Sequence, residues 1–303
     1  MNSTSIERLA ERLLAGLRTA MPFGPVDWQS TRAAIWQRRR LQSGFLPVSA
    51  EAGLGLDHLL HVDDQKAALI ENTAQFVAGL PANHALLWGS RGSGKSSMVH
   101  GVLDVFAHQG LRLVEVGKEA LVDLAEIIQT LAEEPFRFLI FCDDLSFDEG
   151  DPAYRALKSA LEGSILVTAP NVLIYATSNR RHLLPEQASD NAASRIVDGE
   201  LHHGEAVEEK ISLSDRFGLW LSFYPPRQQA YLDMVEHSVR RWVHRTAPDR
   251  VDDSAFQADA FRREALQWAL ARGARNGRSA DHFAKHWVGA RLLQSQEREA
   301  SSE

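Results

Sequence analysis

Gly89-Ser90-Arg91-Gly92-Ser93-Gly94-Lys95-Ser96 sets four residues between two glycines and closes with Lys and Ser, the spacing of a phosphate-binding loop. The chemistry accounts for the residue types. Glycines at 89, 92 and 94 let the backbone curl until successive amides point at phosphate oxygens, Lys95 brings charge to the terminal phosphates, and the Ser96 hydroxyl can ligate magnesium. Residues 85–88 read as a strand feeding the loop, and residues 96–108 as the helix it opens, whose N-terminal dipole and free N–H groups face an anion. The plain alternative is a Gly/Ser-rich surface turn. At ordinary residue usage a chance match in a chain of this length is on the order of one per cent.

Two further stretches fall into step with the loop. Phe138-Leu139-Ile140-Phe141-Cys142-Asp143-Asp144 is an apolar run ending in two carboxylates, and beside a phosphate loop such an acid reaches the magnesium hydration shell. Asp143 takes that role. Asp144 is then placed to polarise an attacking water, which a longer glutamate more often does. Val172-Leu173-Ile174-Tyr175-Ala176 runs into Thr177-Ser178-Asn179, and ligand sites in open α/β sheets lie beyond the carboxyl ends of strands. The Asn179 amide can orient water without adding charge; its plainer reading is a turn residue.

Apolar runs at 85–88, 111–116, 138–142, 172–176 and 219–223 alternate with helical segments at 96–108, 121–133 and 154–161. That is the pattern of a mostly parallel sheet covered by crossover helices. Ahead of it, residues 6–17 and 28–41 read as helices. A third helix starts at Asp63 and Asp64, carries Leu69, Phe76 and Leu80 on one stripe and stops at Pro81. Residues 182–214 form a polar, acidic insertion of a size more often functional or mobile than inert. Tyr224-Pro225-Pro226 breaks the chain, after which 227–244, 253–272 and 279–293 read as helices and 294–303 as a frayed end. The outline is a helical extension (1–55), an α/β nucleotide-binding domain (56–224), a small helical domain (225–295) and a tail (296–303).

Composition bounds the function. The 303 residues, 44% hydrophobic and 24% charged, can bury a real core. The sole cysteine, Cys142, sits in a strand as a packing residue and allows no internal disulfide; with no apolar leader behind Met1, a cytoplasmic setting is expected. No apolar run approaches the roughly 20 residues of a membrane helix. The net charge of −7 argues against a surface built to grip nucleic acid. Arg38, Arg39 and Arg40, near Trp28 and Trp36, could mark a nucleic-acid or partner surface, but a solvated helix end is the simpler reading. His202 and His203, beside Glu200 and Glu205, read as exposed loop residues rather than a metal site.

The loop, the paired acids and Asn179, with Gln65-Lys66, Asn72-Thr73-Ala74-Gln75-Phe76 and the run from Pro81-Ala82-Asn83-His84 to Ser97, resemble the AAA+ ATPases. Within them the chain resembles a bacterial AAA-type family known only as domain of unknown function 815, over about residues 40–295. The resemblance implies a P-loop α/β fold with a five-stranded parallel sheet in the order 5-1-4-3-2, a helical lid, and ATP with Mg2+ held between the two domains. It makes Gly89, Ser90, Arg91, Gly92, Ser93, Gly94, Lys95, Ser96 and Ser97 the Walker A loop, Asp143 and Asp144 the Walker B acids, and Asn179 the first sensor. Leu213-Ser214-Asp215-Arg216-Phe217-Gly218 resembles the place where such proteins present an arginine finger to a neighbour's γ-phosphate. Arg216 is that finger, or else a surface ion-pair partner. Asn276-Gly277-Arg278-Ser279 resembles the second sensor, giving Arg278, with Arg275 close enough to compete. An Asp stands at 144 where the family pattern has Glu.

The expected function is a Mg-dependent ATPase that works at a subunit interface of a homo-oligomer to remodel a protein client. Alternatives are a slow-turnover assembly switch or scaffold, a DNA-associated loader using the N-terminal arginines, and a phosphate-loop kinase, for which no acceptor site is visible.

Overall fold

Ala33–Arg38 forms a strand (β1) where a helix is expected over residues 28–41, and the chain returns through a tight turn into a second strand, Ser43–Val48 (β2). Arg39 and Gln42 exchange backbone hydrogen bonds of 2.7 and 3.3 Å across that turn. Tertiary pairing overrides the helical spacing here: β1 lies antiparallel to β2 and parallel to Leu111–Glu115 (β4), so Ala33, Ala34 and Trp36 are buried by neighbours on both sides. Pro47 is tolerated because β2 is an edge strand. In the computed structural model, residues 23–39, 42–49, 55–148, 150–162, 169–181, 183, 195–197, 200–202, 213–246 and 259–300 are described. The helix expected over 6–17, Arg40, His203, Glu205, most of the 182–214 insertion and the start of the helix expected at 253 lie outside them.

The remaining strands are Ala85–Gly89 (β3), Arg137–Cys142 (β5), Val172–Ser178 (β6) and Leu219–Phe223 (β9), with a separate small hairpin of Arg195–Val197 (β7) and Glu200–His202 (β8). Among the described residues the main sheet has seven strands in the order β2-β1-β4-β5-β6-β3-β9, of which only β2 runs antiparallel; read from β9 to β4 the five expected strands stand in the order 5-1-4-3-2, and β1 and β2 extend the sheet beyond them.

Helices Asp63–Val77 (α1) and Lys95–Phe106 (α2) cover one face; Leu124–Ala132 (α3) and Pro152–Leu161 (α4) cover the other. Alternate side chains divide between two cores. Leu86, Ile140 and Ile174 join Ile127, Leu131 and Leu157, while Leu87, Leu139 and Tyr175 join Leu69, Val99 and Leu103. Each such leucine or isoleucine stabilises the fold by about 1.5–3 kcal/mol on burial. Leu80, expected on the α1 stripe, lies beyond the helix end and is exposed.

Trp28 and Trp36 belong to the core: Trp28 packs edge-on against Phe138 (4.9 Å) and Phe45 (5.7 Å), and Trp36 against Phe45 (4.9 Å). Arg38 ends a strand rather than a helix and pairs with Asp123 at 3.2 Å. Arg112 is a buried cation unforeseen in the sequence. It donates to the carbonyls of Trp28 (2.6 Å), Leu111 (2.8 Å) and Ala107 (3.0 Å) and stacks on Phe136, tying the segment before β1 to the sheet.

His84 precedes β3, and its Nδ1 accepts the Ile174 N–H at 3.0 Å. Burial pulls its pKa from the ordinary 6.5 down to about 4, because protonation would remove the acceptor and strand a charge away from water. The folded pKa is depressed, so as pH falls below 6.5 the unfolded chain takes up the proton first, and stability is lost progressively toward pH 4. About 2 kcal/mol is expected to disappear between roughly pH 8 and pH 5. His84→Asn keeps an acceptor without a titrating ring and should flatten that slope in urea unfolding; equal slopes for variant and wild type would rule the assignment out.

The last three helices, Gln228–Thr246 (α5), Asp259–Ala271 (α6) and Gly277–Ala300 (α7), close over a core of their own built from Tyr231, Val235, Val239, Phe261, Phe283 and Trp287. α7 continues to Ala300, through most of the stretch expected to fray from residue 294.

Candidate functional site

Since β3, β5 and β6 run parallel, their carboxyl ends meet at one sheet edge, and there a cavity of about 590 Å³ opens beneath the C-terminal helices. The loop lines it with Arg91, Gly92, Ser93, Gly94, Lys95, Ser96 and Ser97. The strand ends add Asp143, Asp144, Thr177 and Asn179. Met234, His237, Ser238 and Arg241 of α5 and Gly277, Arg278 and Asp281 of α7 close the far side, with His58, Leu59 and Leu60 completing the wall.

Gly89 and Ser90 build the turn rather than line the cavity. Gly89 has φ +131°, and a Cβ there would fall 2.0 Å from the Phe223 carbonyl oxygen. Ser90 N–H donates to that same oxygen at 2.9 Å, locking the loop to β9. Gly94, at φ +98°, starts α2 in the left-handed region that favours glycine.

Lys95 folds back onto its own loop. Its Nζ donates to the carbonyls of Gly89 and Ser90, both at 2.9 Å, and to Asn179 Oδ1 at 3.2 Å. Burial lowers its pKa against the pull of Asp144 and Asp143, and Arg278 and Arg91 push it the same way as burial. Asp143 Oδ1 accepts from Ser96 Oγ and from Thr177 Oγ1, each at 2.6 Å. Asp144 has φ +50°; its N–H donates to Thr177 Oγ1 at 2.8 Å and its Oδ1 accepts from Asn179 Nδ2. Asn179 thereby bridges Lys95 and Asp144.

The C-terminal helices touch the loop directly. Asn276 Nδ2 donates to Arg91 O at 2.9 Å, the Arg278 N–H donates to Gly92 O at 3.3 Å, and Asn276 Oδ1 caps α7 by accepting from Ser279 N–H at 2.8 Å. Arg278 lines the cavity, whereas Arg275 is not among its lining residues. Arg216 lies away from the cavity, ion-paired with Glu162 just past the end of α4. Cys142 is fully buried, its pKa pushed up to about 12 chiefly by burial, as a packing residue should be.

Among the lining residues not foreseen in the sequence are four titratable ones, in two pairs. His58 Nδ1 sits 2.9 Å from His237 Nε2, and Arg241 pairs with Asp281 at 2.5 Å. His237 has its pKa lowered by burial, then by His58 and Arg241. A sequence signal existed for α5: Met234, His237, Ser238 and Arg241 share one stripe at helical spacing, distinct from the buried stripe of Tyr231, Val235 and Val239.

The arrangement suits a polyphosphate and a hard cation. Arg241 is engaged by Asp281, which also pairs with Lys285, and Arg91, Lys95 and Arg278 line the cavity as cations that can face an anion. Ser96 Oγ and Asp143 Oδ1, a hydroxyl and a carboxylate oxygen at 2.6 Å, are donors of the kind that Mg2+ takes.

The family described as "Protein of unknown function (DUF815)" matches residues 29–291. The chain belongs to this family. The DUF815 match takes in every residue that lines the cavity. Among solved structures the DUF815 chain is similar to the Thermotoga maritima RuvB Holliday junction branch migration motor, at 13% identity and a TM-score of 0.45, covering 78% of this chain and 73% of that one. It is also similar to PCH-2 of C. elegans, at 17% identity and a TM-score of 0.44, covering 77% and 69% respectively. None of the curated proteins matches it. Among the described residues no helix is long and apolar enough to cross a membrane.

Proposed function

We propose that this chain is a AAA+ ATPase that binds ATP with Mg2+ between residues 56–224, its nucleotide-binding domain, and residues 225–295, a helical lid. Hydrolysis is completed by an arginine from a neighbouring copy and drives the remodelling of a protein client. The observation that carries this reading is the hydrogen-bond network joining Lys95, Asn179, Asp144, Thr177, Asp143 and Ser96 under one cavity at the sheet's carboxyl edge.

Each residue has a task that its surroundings support. The loop amides and Lys95 hold the phosphates, with Lys95 exchanging its bonds to Gly89 O and Ser90 O for phosphate oxygens of equal or better strength. Ser96 and Asp143 would hold Mg2+, which when bound neutralises phosphate charge and fixes the phosphoryl oxygens. Asp144 and Asn179 aim the attacking water, Arg278 approaches the phosphates from the lid, and Arg216 is the residue lent to the adjoining site. Catalysis of this kind is positioning plus electrostatics, with no covalent step for the protein to perform.

One observation favours a slower variant of the same function. Asp144 is shorter than glutamate and is already engaged by Asn179 at a left-handed turn, which supports a switch that turns over seldom. Trp28 and Trp36, near the arginines that the DNA-loader alternative would use, are core residues and offer no base-stacking surface there.

Titration with a fluorescent ATP analogue, with and without Mg2+, is expected to show Mg-dependent binding, and phosphate release should continue over many turnovers. Release that stalls near one per site would select the switch. Lys95→Ala should lower turnover by about 10²-fold or more, as expected for loss of a charge aimed at the transferring group. A wild-type protein without affinity for the analogue in the presence of Mg2+ would end the ATPase reading.

A further inference from the structure

We propose that Thr177 is a positioning residue that sets both carboxylates of the site, its hydroxyl serving Asp143 and Asp144 at once. The consequence for catalysis rests on the ATPase reading above; the geometry does not.

Thr177 is the penultimate residue of β6 and is 1% exposed. A hydroxyl has one proton to give and lone pairs to receive, and this one uses both functions. It donates to Asp143 Oδ1 at 2.6 Å and accepts the Asp144 N–H at 2.8 Å. The backbone continues the grip: the Leu145 N–H donates to Thr177 O at 2.7 Å, and Ser178 Oγ donates to Leu145 O at 2.7 Å. Four hydrogen bonds from two adjacent residues of β6 therefore hold three successive residues after β5.

Such a grip answers a specific need. Asp144 stands at φ +50°, a region that non-glycine residues seldom occupy, and it persists only where the surroundings dictate it. Were the turn to relax, the Asp144 carboxylate would leave Asn179. Asp143 depends on the same hydroxyl, since its Oδ1 is shared between Thr177 and Ser96. If Ser96 turns to a metal, Thr177 remains the donor that orients Asp143, as partners behind a metal ligand commonly do. Threonine fits the position because branching at Cβ restricts χ1 and suits a strand, so the hydroxyl direction is fixed before any ligand arrives.

The test compares Thr177→Val, which keeps the shape and loses the hydroxyl, with Thr177→Ser, which keeps the hydroxyl. In the nucleotide-free full chain, hydrogen exchange at the amides of Asp144 and Leu145 is expected to quicken about tenfold in Thr177→Val and to stay within about threefold of wild type in Thr177→Ser. With nucleotide, Thr177→Val should raise the Mg2+ concentration for half-maximal phosphate release about 10- to 100-fold, leaving metal-free affinity for the ATP analogue within about twofold. Thr177→Ser should restore the wild-type metal dependence. Should Thr177→Val not fold, Thr177→Ala carries the same expectations. Unchanged exchange in Thr177→Val, or Ser and Val variants impaired alike, would overturn the proposal. Exchange that quickens as expected in a protein whose wild type ignores ATP would uphold the positioning role and remove only the ATPase reading.

Discussion

Arg216→Ala is expected to cost the assembled protein roughly 10³- to 10⁵-fold in ATPase rate, about 4–7 kcal/mol of transition-state stabilisation, with ATP affinity within about twofold of wild type. The size is that of an arginine supplied by a neighbouring copy, the role proposed for Arg216 above. Arg216 is absent from the lining of its own subunit's cavity and pairs with Glu162 at the surface. An exposed pair of that kind contributes no more than about 1 kcal/mol, so a merely structural Arg216 would leave turnover nearly untouched. The two cases separate cleanly. Wild-type specific activity should rise with protein concentration, and Arg216→Ala should abolish the rise. Mixing Arg216→Ala with Lys95→Ala subunits should recover activity, because one supplies an intact loop and the other the missing arginine. A rate independent of concentration, together with no recovery on mixing, would dismiss supply from a neighbour. Glu162→Gln should leave the rate intact or raise it, since it removes only the charge of one surface partner of the arginine.

Gly89→Ala is expected to destabilise the fold by about 3–5 kcal/mol, a large part of the 5–15 kcal/mol typical of a domain. Two costs combine. The new Cβ would fall 2.0 Å from Phe223 O, a backbone atom that cannot swing away while Gly89 pairs with Phe223 and Ser90 N–H holds that oxygen. The residue also keeps φ +131°, which side chains resist. Gly110→Ala supplies the comparison, for it has φ +93° with nothing within 4 Å of the added carbon, so it bears conformational strain alone, about 1–2 kcal/mol. Urea midpoints that fall equally in the two variants would refute the role assigned to the Phe223 contact.

Much of the sheet was legible because both of its faces are covered. A strand buried on two sides cannot alternate polar with apolar, so Phe138 to Cys142 and Val172 to Ala176 stand out as continuous apolar runs. The loop announced itself through glycines that only a tight turn requires, and Asp143, Asp144 and Asn179 through their place just past strand ends. The β1–β2 hairpin was not legible, since its pairing with β4 is a contact between residues about 80 apart and Trp28 with Trp36 suits a helical spacing equally well. Arg112 escaped for a related reason: a cation amid Leu111, Leu113 and Val114 reveals nothing of the three carbonyls that make its burial tolerable. Thr177 looked like the approach to Asn179, because a hydroxyl's double use as donor and acceptor has no spacing to betray it.

The bonds from Asn276 and Arg278 to the carbonyls of Arg91 and Gly92 anchor one end of a 24-residue rod to the phosphate loop. At 1.5 Å per residue that rod is about 36 Å long, and a tilt of about 5° at its root sweeps the distant tip through about 3 Å. Leverage of this sort turns a shift too small to alter the fold into a displacement wide enough to make or break contacts on another molecule.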